Sequence, residues 1–404
     1  MPHGKPERVG GPSFSWGAGI ENTFVLEPDP KTGKTLDEYE LTNHYQHWRQ
    51  DLDNVESLGV DWVRWGVPWF KVNPAPGVWD WSWTDQVFAW FDEHHVSPIV
   101  DFVHYGTPRW MPRAFLEPDY PARVAEYADR LTERYGRGIR AATPCNEPFT
   151  AAEWSSKVSN WPPSVPGDAG FVRVMMALAE GAVTCAPVLT RRGIQSVQVE
   201  VAGGAVAGDE ASRAAVEFEN ARCLLYWDLL TGKIDKDHLL FPWLVKNGAS
   251  PERIGAIAAA RAPIDLLGVN YYPQWSYKLY KTSGGKMQVL DLAGTDLFTP
   301  LLKTLADRYS LPLMITETSW RGSPEEKSEW LKRSVADIDA LRASGVDIRG
   351  YIWFPVLEMV DWKYRTEPGT LLDHRLNLGF WDLDRHENPA AQAYRDTIKK
   401  HSSS

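Results

Sequence analysis

The sequence predicts an α/β fold, a (β/α)8 TIM barrel formed by a single domain over residues 1–404. The first observation is that eight short apolar runs, rich in β-branched residues, alternate with longer amphipathic segments along the whole chain. The second is that 404 residues fit one such barrel with insertions, and no Pro- or Ser-rich linker divides them. Residues 1–12 and 401–404 are expected to be loosely ordered tails.

The eight apolar runs are the predicted strands, because near-continuous apolar runs are typical of parallel strands buried on both faces. They cover residues 13–19, 60–67, 97–105, 138–148, 194–203, 264–272, 311–318 and 348–356. The predicted helices cover residues 42–57, 82–93, 121–136, 169–191, 211–230, 296–309, 324–343 and 389–400. The helix at 121–136 has the clearest pattern, because Pro121 suits its first turn, apolar side chains recur at three- and four-residue spacing, and Gly136 suits its end.

The long segments 20–41, 149–168 and 357–387 follow the first, fourth and eighth predicted strands. All three should therefore lie on the C-terminal face of the barrel. The active sites of such barrels lie on that face, formed by residues at the strand ends.

Composition and charge indicate which kinds of molecule the protein binds and in which compartment it is expected. A net charge of −10 argues against nucleic acid or an anionic membrane surface as the main partner. The N-terminus lacks the apolar segment of a secretory signal, and three cysteines do not form a disulfide framework, so we expect a cytoplasmic protein. The 20 tryptophans suit the apolar faces of sugar rings, although a bulky core is the alternative for any single one.

Polar side chains occupy the C-terminal ends of the predicted strands. They are Arg64 on the second strand, His104 on the third, Asn146 and Glu147 on the fourth, Asn270 and Tyr272 on the sixth, Glu317 on the seventh, and Trp353 with the following Asp361 and Trp362 on the eighth. Two glutamates facing each other across a barrel mouth, with no cluster of metal ligands, indicate glycoside hydrolysis without a cofactor or metal ion. Arg64 and Tyr272 suit the neighbourhood of an ionised nucleophile.

Each of these residues also has a purely structural interpretation. His104 alone would be a hydrogen-bonded core histidine, and Arg64 alone an ion pair inside the barrel. We interpret two further acids, Glu200 after the fifth strand and Glu358 after the eighth, as loop or supporting acids, because neither lies in a comparable group of polar residues.

The motifs around these residues resemble glycoside hydrolase family 1, the β-glucosidase-type retaining enzymes. "CNEP" is similar to the acid/base motif of the family and "ITET" to its nucleophile motif, which implies those roles for Glu147 and Glu317. "HYGTPRW" and "LGVNYY" resemble segments that imply a sugar-hydroxyl contact for His104 and a nucleophile contact for Tyr272. "GYIWFPVLEMVDW" resembles a segment that implies a tryptophan platform at Trp353 and a hydroxyl-binding pair, Asp361 and Trp362.

Two departures from the family pattern concern the sugar-binding end of the site. The glutamine expected near the start is missing from "WGAGIENTFV", and Glu21 or Asn22 is the candidate replacement. The platform segment carries an aspartate in place of the usual glutamate, with one extra residue before it.

The predicted function is that of a retaining, exo-acting β-glycosidase, most simply a β-glucosidase, whose partner is a small carbohydrate or glycoside. Asn146 is expected to hold the sugar 2-hydroxyl. The alternatives are a β-galactosidase or β-fucosidase, a transglycosidase with the same machinery, and a non-catalytic sugar-binding barrel. Lys363 and Tyr364 raise the question of a sugar phosphate, but Asp361 would repel one, so an unphosphorylated substrate is expected. The sequence does not predict an oligomeric state.

Overall fold

Eight parallel strands close into a barrel in the computed structural model, which describes residues 7–11 and 13–402. In chain order they are β1 (Ser15–Gly19), β2 (Trp62–Gly66), β3 (Ser97–Asp101), β4 (Ala141–Thr143), β5 (Gln195–Val201), β6 (Leu266–Asn270), β7 (Leu313–Thr318) and β8 (Ile348–Trp353). Each strand pairs with its neighbours in sequence, and β1 pairs in parallel with both β2 and β8, which closes the ring. The predicted fold class is confirmed.

One long helix follows each strand of the barrel. The helices are α1 (His44–Ser57), α2 (Ser82–Glu93), α3 (Tyr120–Tyr135), α4 (Gly167–Arg192), α5 (Arg213–Leu230), α6 (Phe298–Tyr309), α7 (Pro324–Ala343) and α8 (Pro389–Ser402). All eight coincide with predicted helices, and Pro121 lies in the first turn of α3 as expected. At the start of α7, Ser323 and Glu326 form a reciprocal capping box.

The barrel interior is filled by apolar side chains from most of its strands. They are Trp62, Ile99, Ala141, Val197, Val199, Leu266, Met314 and Ile352, with Val9 and Phe354 in the same cluster. This packed interior leaves the barrel mouth as the place where polar side chains meet.

Parts of both expected tails are ordered and packed against the fold. Val9 is buried, and its backbone N–H donates to Gln195 Oε1 at 2.7 Å, while residues 401–402 complete α8. The remaining residues of the predicted tails, 1–6, 12, 403 and 404, lie outside the described part of the chain.

The three long segments after β1, β4 and β8 meet at the C-terminal face, where Arg365 joins them. Its guanidinium donates to Glu27 O at 2.8 and 3.1 Å and also to Asn160 O, so one buried side chain from the last segment holds the other two. These segments cover the barrel mouth.

Several elements outside the alternating pattern were not predicted. They are the helices Pro148–Ser156, Phe241–Lys246 and Pro251–Ala260, and a three-stranded sheet of Gly204–Ala207, Tyr277–Ser283 and Lys286–Leu292. The last of these strands exposes Met287, Val289 and Leu290, so no buried apolar run marks it in the sequence.

Helix α4 is long and apolar enough to span a membrane by length and composition alone. In the fold, however, 72% of its 18-residue apolar window is buried within the protein, where Phe171, Met175 and Leu178 are among its fully buried residues. Such burial is typical of a helix packed against a barrel core.

Candidate active site

Glu147 lies where β4 gives way to the helix Pro148–Ser156. Its φ of +39° is left-handed, a conformation that costs a non-glycine residue on the order of 1 kcal/mol or more and that is common at functional sites. Behind it, the buried carboxyl of Glu200 accepts from Phe149 N at 2.9 Å and so fixes the first turn of that helix. Glu200 therefore supports the Glu147 turn, in keeping with the supporting role that the sequence indicated.

Glu317 is the next-to-last residue of β7, opposite Asn270 of β6. The pairing register shifts on both sides of this strand between Ile315 and its last residues, as in a β-bulge. Such irregularities re-aim side chains near active sites. Glu317 and Glu147 are both nearly enclosed, with exposed fractions of 4% and 5%.

The two glutamates belong to one hydrogen-bonded network. Asn270 Nδ2 donates to Glu147 Oε1 at 2.8 Å and to Asn146 Oδ1 at 3.1 Å. Arg64 donates from Nη2 to Asn146 Oδ1 at 2.7 Å and from Nη1 to Glu317 Oε1 at 2.5 Å. Four bonds thus lead from one carboxyl group to the other across the barrel mouth.

The other contacts of the two glutamates differ in charge. Tyr272 donates its hydroxyl to Glu317 Oε2 at 2.7 Å, so this carboxylate has a phenol on one oxygen and the Arg64 guanidinium on the other. Glu147 Oε2 accepts from the hydroxyl of Tyr105 at 3.1 Å, so both of its side-chain donors are neutral. An asymmetry of this kind allows two carboxyl groups to take different roles.

Asp101, a residue that the sequence analysis missed, shares the charge of Arg64. It accepts from Arg64 Nε at 3.2 Å and from Nη2 at 2.8 Å, and its Oδ2 lies 3.0 Å from His104 Nδ1. Arg64 is thus a site residue and, as the structural alternative held, an ion pair inside the barrel. The polar Asp101 within the apolar run "SPIVDFVHY" was the available signal.

The divided charge of Arg64 affects the nucleophile candidate. Burial raises the pKa of Glu317 to about 7, and repulsion from Glu147 adds to the rise, although Arg64, His104 and the Tyr272 hydroxyl oppose it. From the sequence we expected that the arginine would keep this carboxyl ionised. In the fold, burial outweighs the share of the guanidinium charge that Asp101 leaves available.

His104 lies between the two predicted sugar-binding groups, Asn146 and Glu21. Its Nε2 lies 3.1 Å from Asn146 Nδ2 and 4.0 Å from Glu21 Oε1, while Glu21 Oε1 accepts from Thr23 N at 2.9 Å. Burial works against the imidazolium, but the hydrogen bond to Asp101 and the charge of Glu21 raise the pKa of His104. Glu21 therefore lies at the site, on the opposite side of His104 from Asp101.

Known proteins share this sequence pattern and fold. The sequence profile of glycosyl hydrolase family 1 matches residues 16–202. A bifunctional β-D-glucosidase/β-D-fucosidase of Bifidobacterium breve is 23% identical over 92% of this chain and 89% of its own, and aryl-phospho-β-D-glucosidase BglC of Bacillus subtilis is 22% identical over 95% and 92%. The solved β-glucosidase of Thermotoga maritima in complex with castanospermine superimposes with a TM-score of 0.83 at 17% identity, covering 98% of this chain and 99% of that one.

The match to this family model and the β-glucosidase relatives support membership in glycosyl hydrolase family 1. These similarities support a glycoside hydrolase, as the sequence predicts.

The predicted tryptophan platform requires a correction. Trp353 does not face the glutamates, because it lies on the outer side of β8, stacked on Phe380 at 4.8 Å and donating from Nε1 to Leu378 O at 3.2 Å. Side chains alternate along a strand, so Ile352 and Phe354 point inward instead. Phe354 lies 5.4 Å below the Arg64 guanidinium and parallel to the His104 ring at 6.2 Å. If Phe354 instead of Trp353 is taken as the platform position, the spacing to Asp361 agrees with the family pattern and no extra residue remains.

The last two predicted sugar contacts lie in the segment after β8. Trp362 packs against Tyr105 at 5.9 Å and Trp161 at 5.0 Å, so it covers the Glu147 side of the site. Asp361 is half-buried, and its Oδ1 accepts from Lys363 N at 2.9 Å, which caps the turn Trp362–Arg365. It forms no described hydrogen bond to the network that contains the glutamates.

Tyr105, Asn270 and Phe354 join Asp101 as site residues that were not assigned roles from the sequence. Each lies at or just after the end of a strand, close to a residue that was predicted to belong to the site. Its position at the strand end was therefore the only feature of the sequence that could have identified it. Outside the site, the group of side chains in the described ranges that could hold a metal ion is Asp382, Asp384 and His386, on the surface before α8. It consists of two carboxyl groups and one imidazole, all at least partly exposed, and exposed acidic groups are common without a metal.

Proposed function

We propose that this chain is a retaining, exo-acting β-glycosidase that hydrolyses unphosphorylated β-glycosides, with β-glucosides as the first substrates to test. One observation carries the proposal. Glu147 and Glu317 lie in one hydrogen-bonded network at the ends of β4 and β7, one with neutral donors and the other beside a guanidinium. This is the pairing that double displacement at a sugar carbon requires.

In the first step, a carboxylate oxygen of Glu317 attacks the anomeric carbon while the bond from that carbon to the aglycone oxygen breaks. Glu147 transfers its proton to the departing oxygen, and the sugar remains as an ester of Glu317. Arg64 and Tyr272 hold the attacking carboxylate by its two oxygens, which fixes its position before the reaction.

In the second step, Glu147 takes a proton from water, whose oxygen attacks the anomeric carbon and displaces Glu317. Two inversions give net retention of configuration. Asn146 is held by Arg64, Asn270, Tyr105 and His104, so its amide has a fixed orientation toward the sugar 2-hydroxyl that we assign to it.

The sugar preference is inferred from the relatives and from charge. The relatives named above act, by name, on β-glucosides, β-fucosides and aryl phospho-β-glucosides. Against a phosphate, Glu21 and Asp361 place negative charge at the far end of the site, and Lys363 is exposed. Unphosphorylated glucosides therefore lead, and β-galactosides and β-fucosides follow.

The decisive test is replacement of the proposed nucleophile. Glu317→Ala should lose nearly all turnover of 4-nitrophenyl β-D-glucoside, and azide should restore it with an inverted glycosyl azide as product. Normal turnover by this variant would remove Glu317 from the mechanism. Glu200→Gln is a suitable comparison, because it replaces another buried carboxyl close to Glu147 without touching the proposed nucleophile.

The proposed acid/base should have a different signature. Glu147→Ala should lose most activity on alkyl glucosides and retain much of it on 2,4-dinitrophenyl glucoside, whose leaving group needs no proton. Proton NMR of the first product should show the β-anomer. The α-anomer as first product would contradict retention, and sugar binding without any turnover by the parent chain would favour the non-catalytic alternative.

A transglycosidase with the same machinery is the second candidate. Trp154, Trp161 and Trp362 pack together over the Glu147 side of the site, where they limit the access of water. The ratio of transfer product to free sugar at increasing alcohol concentration distinguishes the two reactions.

We also propose a cytoplasmic location. The three cysteines, Cys145, Cys185 and Cys223, are all free thiols, which fits a reducing compartment. Fractionation of the native source would test it.

A further inference from the structure

The strand Lys286–Leu292, here called the edge strand, is the outermost strand of the three-stranded sheet beside the barrel. One of its sides pairs with Tyr277–Ser283, and no strand within residues 7–11 and 13–402 pairs with its other side. The turn that precedes it projects into open space, because a Cβ atom added at Gly284 or Gly285 would meet nothing within 4 Å. The backbone of the edge strand is therefore accessible to a further strand.

The edge strand lacks most of the features that keep such edges unpaired. Natural edge strands are usually short, bulged, or interrupted by proline or charge. This one pairs over seven residues without a register shift and contains no proline. Its apolar side chains are exposed, with Met287 at 42%, Val289 at 52% and Leu290 at 41%. A strand of this kind is expected to pair with another chain.

The turn determines which backbone groups point outward. Gly284 and Gly285 have φ angles of +58° and +75°, as in a two-residue type I′ turn, which is closed by Ser283 and Lys286 as a hydrogen-bonded pair. Hydrogen-bonded and non-hydrogen-bonded pairs alternate along an antiparallel ladder. The N–H and C=O groups of residues 287, 289 and 291 therefore point away from the hairpin. Within the described chain, no backbone hydrogen bond outside the hairpin is found for them.

These outward groups are complementary to their own copy. A two-fold axis at Val289 places residues 287, 289 and 291 of one copy opposite residues 291, 289 and 287 of the other. Each of these opposite pairs can exchange two backbone hydrogen bonds, and Val289 faces its own counterpart. We propose that the edge strands of two copies pair in this antiparallel register, so that the protein forms a two-fold dimer.

The charges of the edge strand favour a second copy in this orientation. The strand carries Lys286 at its start and Asp291 near its end. Antiparallel pairing brings Lys286 of each copy opposite Leu292 and next to Asp291 of the other, so unlike charges meet at both ends of the interface. Asp291 also pairs with Lys278, but its side chain is 73% exposed and remains accessible. A parallel pair in register would instead place lysine beside lysine.

Sedimentation velocity of the full chain at increasing concentration tests the proposal. The parent should change from a species of 45.7 kDa to one of twice that mass, with a dissociation constant in the micromolar range, because a pair of strands is a small interface. Val289→Pro removes the outward N–H on the axis but no hydrogen bond within the hairpin, so it should abolish the heavier species and leave the far-UV circular dichroism unchanged.

A second variant keeps the backbone and changes only a side chain. Leu290→Lys adds one ammonium group on each side of the axis, on the same face of the joined sheet, and should raise the dissociation constant at least about tenfold. Leu372→Lys is the matched control, because it makes the same substitution at a leucine that is 71% exposed in the segment after β8. This control should leave the dissociation constant unchanged.

Disulfide cross-linking tests the register. The Cα atoms of a hydrogen-bonded antiparallel pair lie about 5.5 Å apart, within the range that a disulfide spans. Mild oxidation of Val289→Cys should therefore give a covalent dimer on a non-reducing gel. Leu290→Cys should not, because its two copies are displaced along the strands. The three natural thiols are present in both variants, so they cannot account for a difference.

Two results would overturn the inference. A parent chain that stays monomeric up to about 0.1 mM would show that the edge strands do not pair with each other, and would leave this edge to a strand of another protein. A dimer that persists unchanged in both Val289→Pro and Leu290→Lys would show that the copies meet elsewhere. Stronger cross-linking of Leu290→Cys than of Val289→Cys would exclude the register centred on Val289.

Discussion

Arg64 donates from Nη1 to Glu317 Oε1 at 2.5 Å while two other donor nitrogens of the same guanidinium bind Asp101. One buried cation therefore serves two buried carboxylates. This sharing accounts for a nucleophile candidate whose pKa is raised to about 7 although it lies beside an arginine. The following predictions depend on it or on the contacts around it.

The pH dependence of hydrolysis should show an acidic limb near neutrality. Protonated Glu317 cannot attack, so kcat/KM should fall as pH falls below about 7. Tyr272→Phe removes a hydrogen bond that lowers the pKa of Glu317, so it should move this limb to higher pH. Initial rates at low substrate across the pH range measure both, and a limb shifted to lower pH would contradict the argument.

Glu317→Gln should stabilise the protein above neutral pH. The folded pKa of about 7 exceeds the ordinary 4.5, so parental stability is full below about 4.5 and decreases as pH rises to about 7. The glutamine cannot ionise, and it should raise the free energy of unfolding by about 1–3 kcal/mol near pH 8. Urea denaturation near pH 8 and near pH 4 provides the comparison, and the gain should vanish at the lower pH.

Arg64→Met should destabilise the fold strongly, because it leaves the buried carboxyl groups of Asp101 and Glu317 without their guanidinium partner. The expected loss is about 3–5 kcal/mol, by analogy with other broken buried ion pairs. Arg134→Met is the control, since the Arg134–Asp85 pair at 2.7 Å is largely exposed and should cost less than about 1 kcal/mol. Similar losses in both variants would show that burial of the Arg64 pairs has no special cost.

Tyr105→Phe should weaken catalysis while leaving the fold intact. The Tyr105 hydroxyl donates to Glu147 Oε2 and accepts from Asn146 Nδ2, so its loss should lower kcat/KM about thirtyfold, the effect of two hydrogen bonds of about 1 kcal/mol each. Tyr127→Phe, whose hydroxyl binds Val67 O, is a matched buried control and should affect stability without changing kcat/KM. If both variants had the same kcat/KM, Tyr105 would have no part in the reaction.

The inner and outer aromatic residues at the end of β8 should behave differently. Phe354→Leu removes a ring beside Arg64 and His104, so it should raise KM severalfold. Trp353→Phe removes the hydrogen bond to Leu378 O, so it should cost about 1 kcal/mol of stability and leave KM unchanged. Steady-state kinetics combined with thermal denaturation distinguishes these outcomes, and the reverse pattern would restore Trp353 as the platform.

Most of the fold could be predicted from local sequence patterns, namely apolar runs and residues typical of helix ends. Burial on both faces forces parallel strands to be apolar throughout, so β2, β5 and β7 were evident, and Pro121 and Gly136 marked the two ends of α3. The ribbon at Tyr277–Ser283 and Lys286–Leu292 escaped prediction because it is half-exposed and has no such run.

The sequence by itself determined the barrel and the pairing of Glu147 with Glu317, because strand order in a closed ring fixes which chain positions reach the mouth. Only the tertiary structure decided that Asp101 divides the charge of Arg64, and that Phe354 rather than Trp353 faces the site. These features depend on distances between residues far apart in the chain and on a one-residue alternation of side-chain direction, and local polarity encodes neither of them.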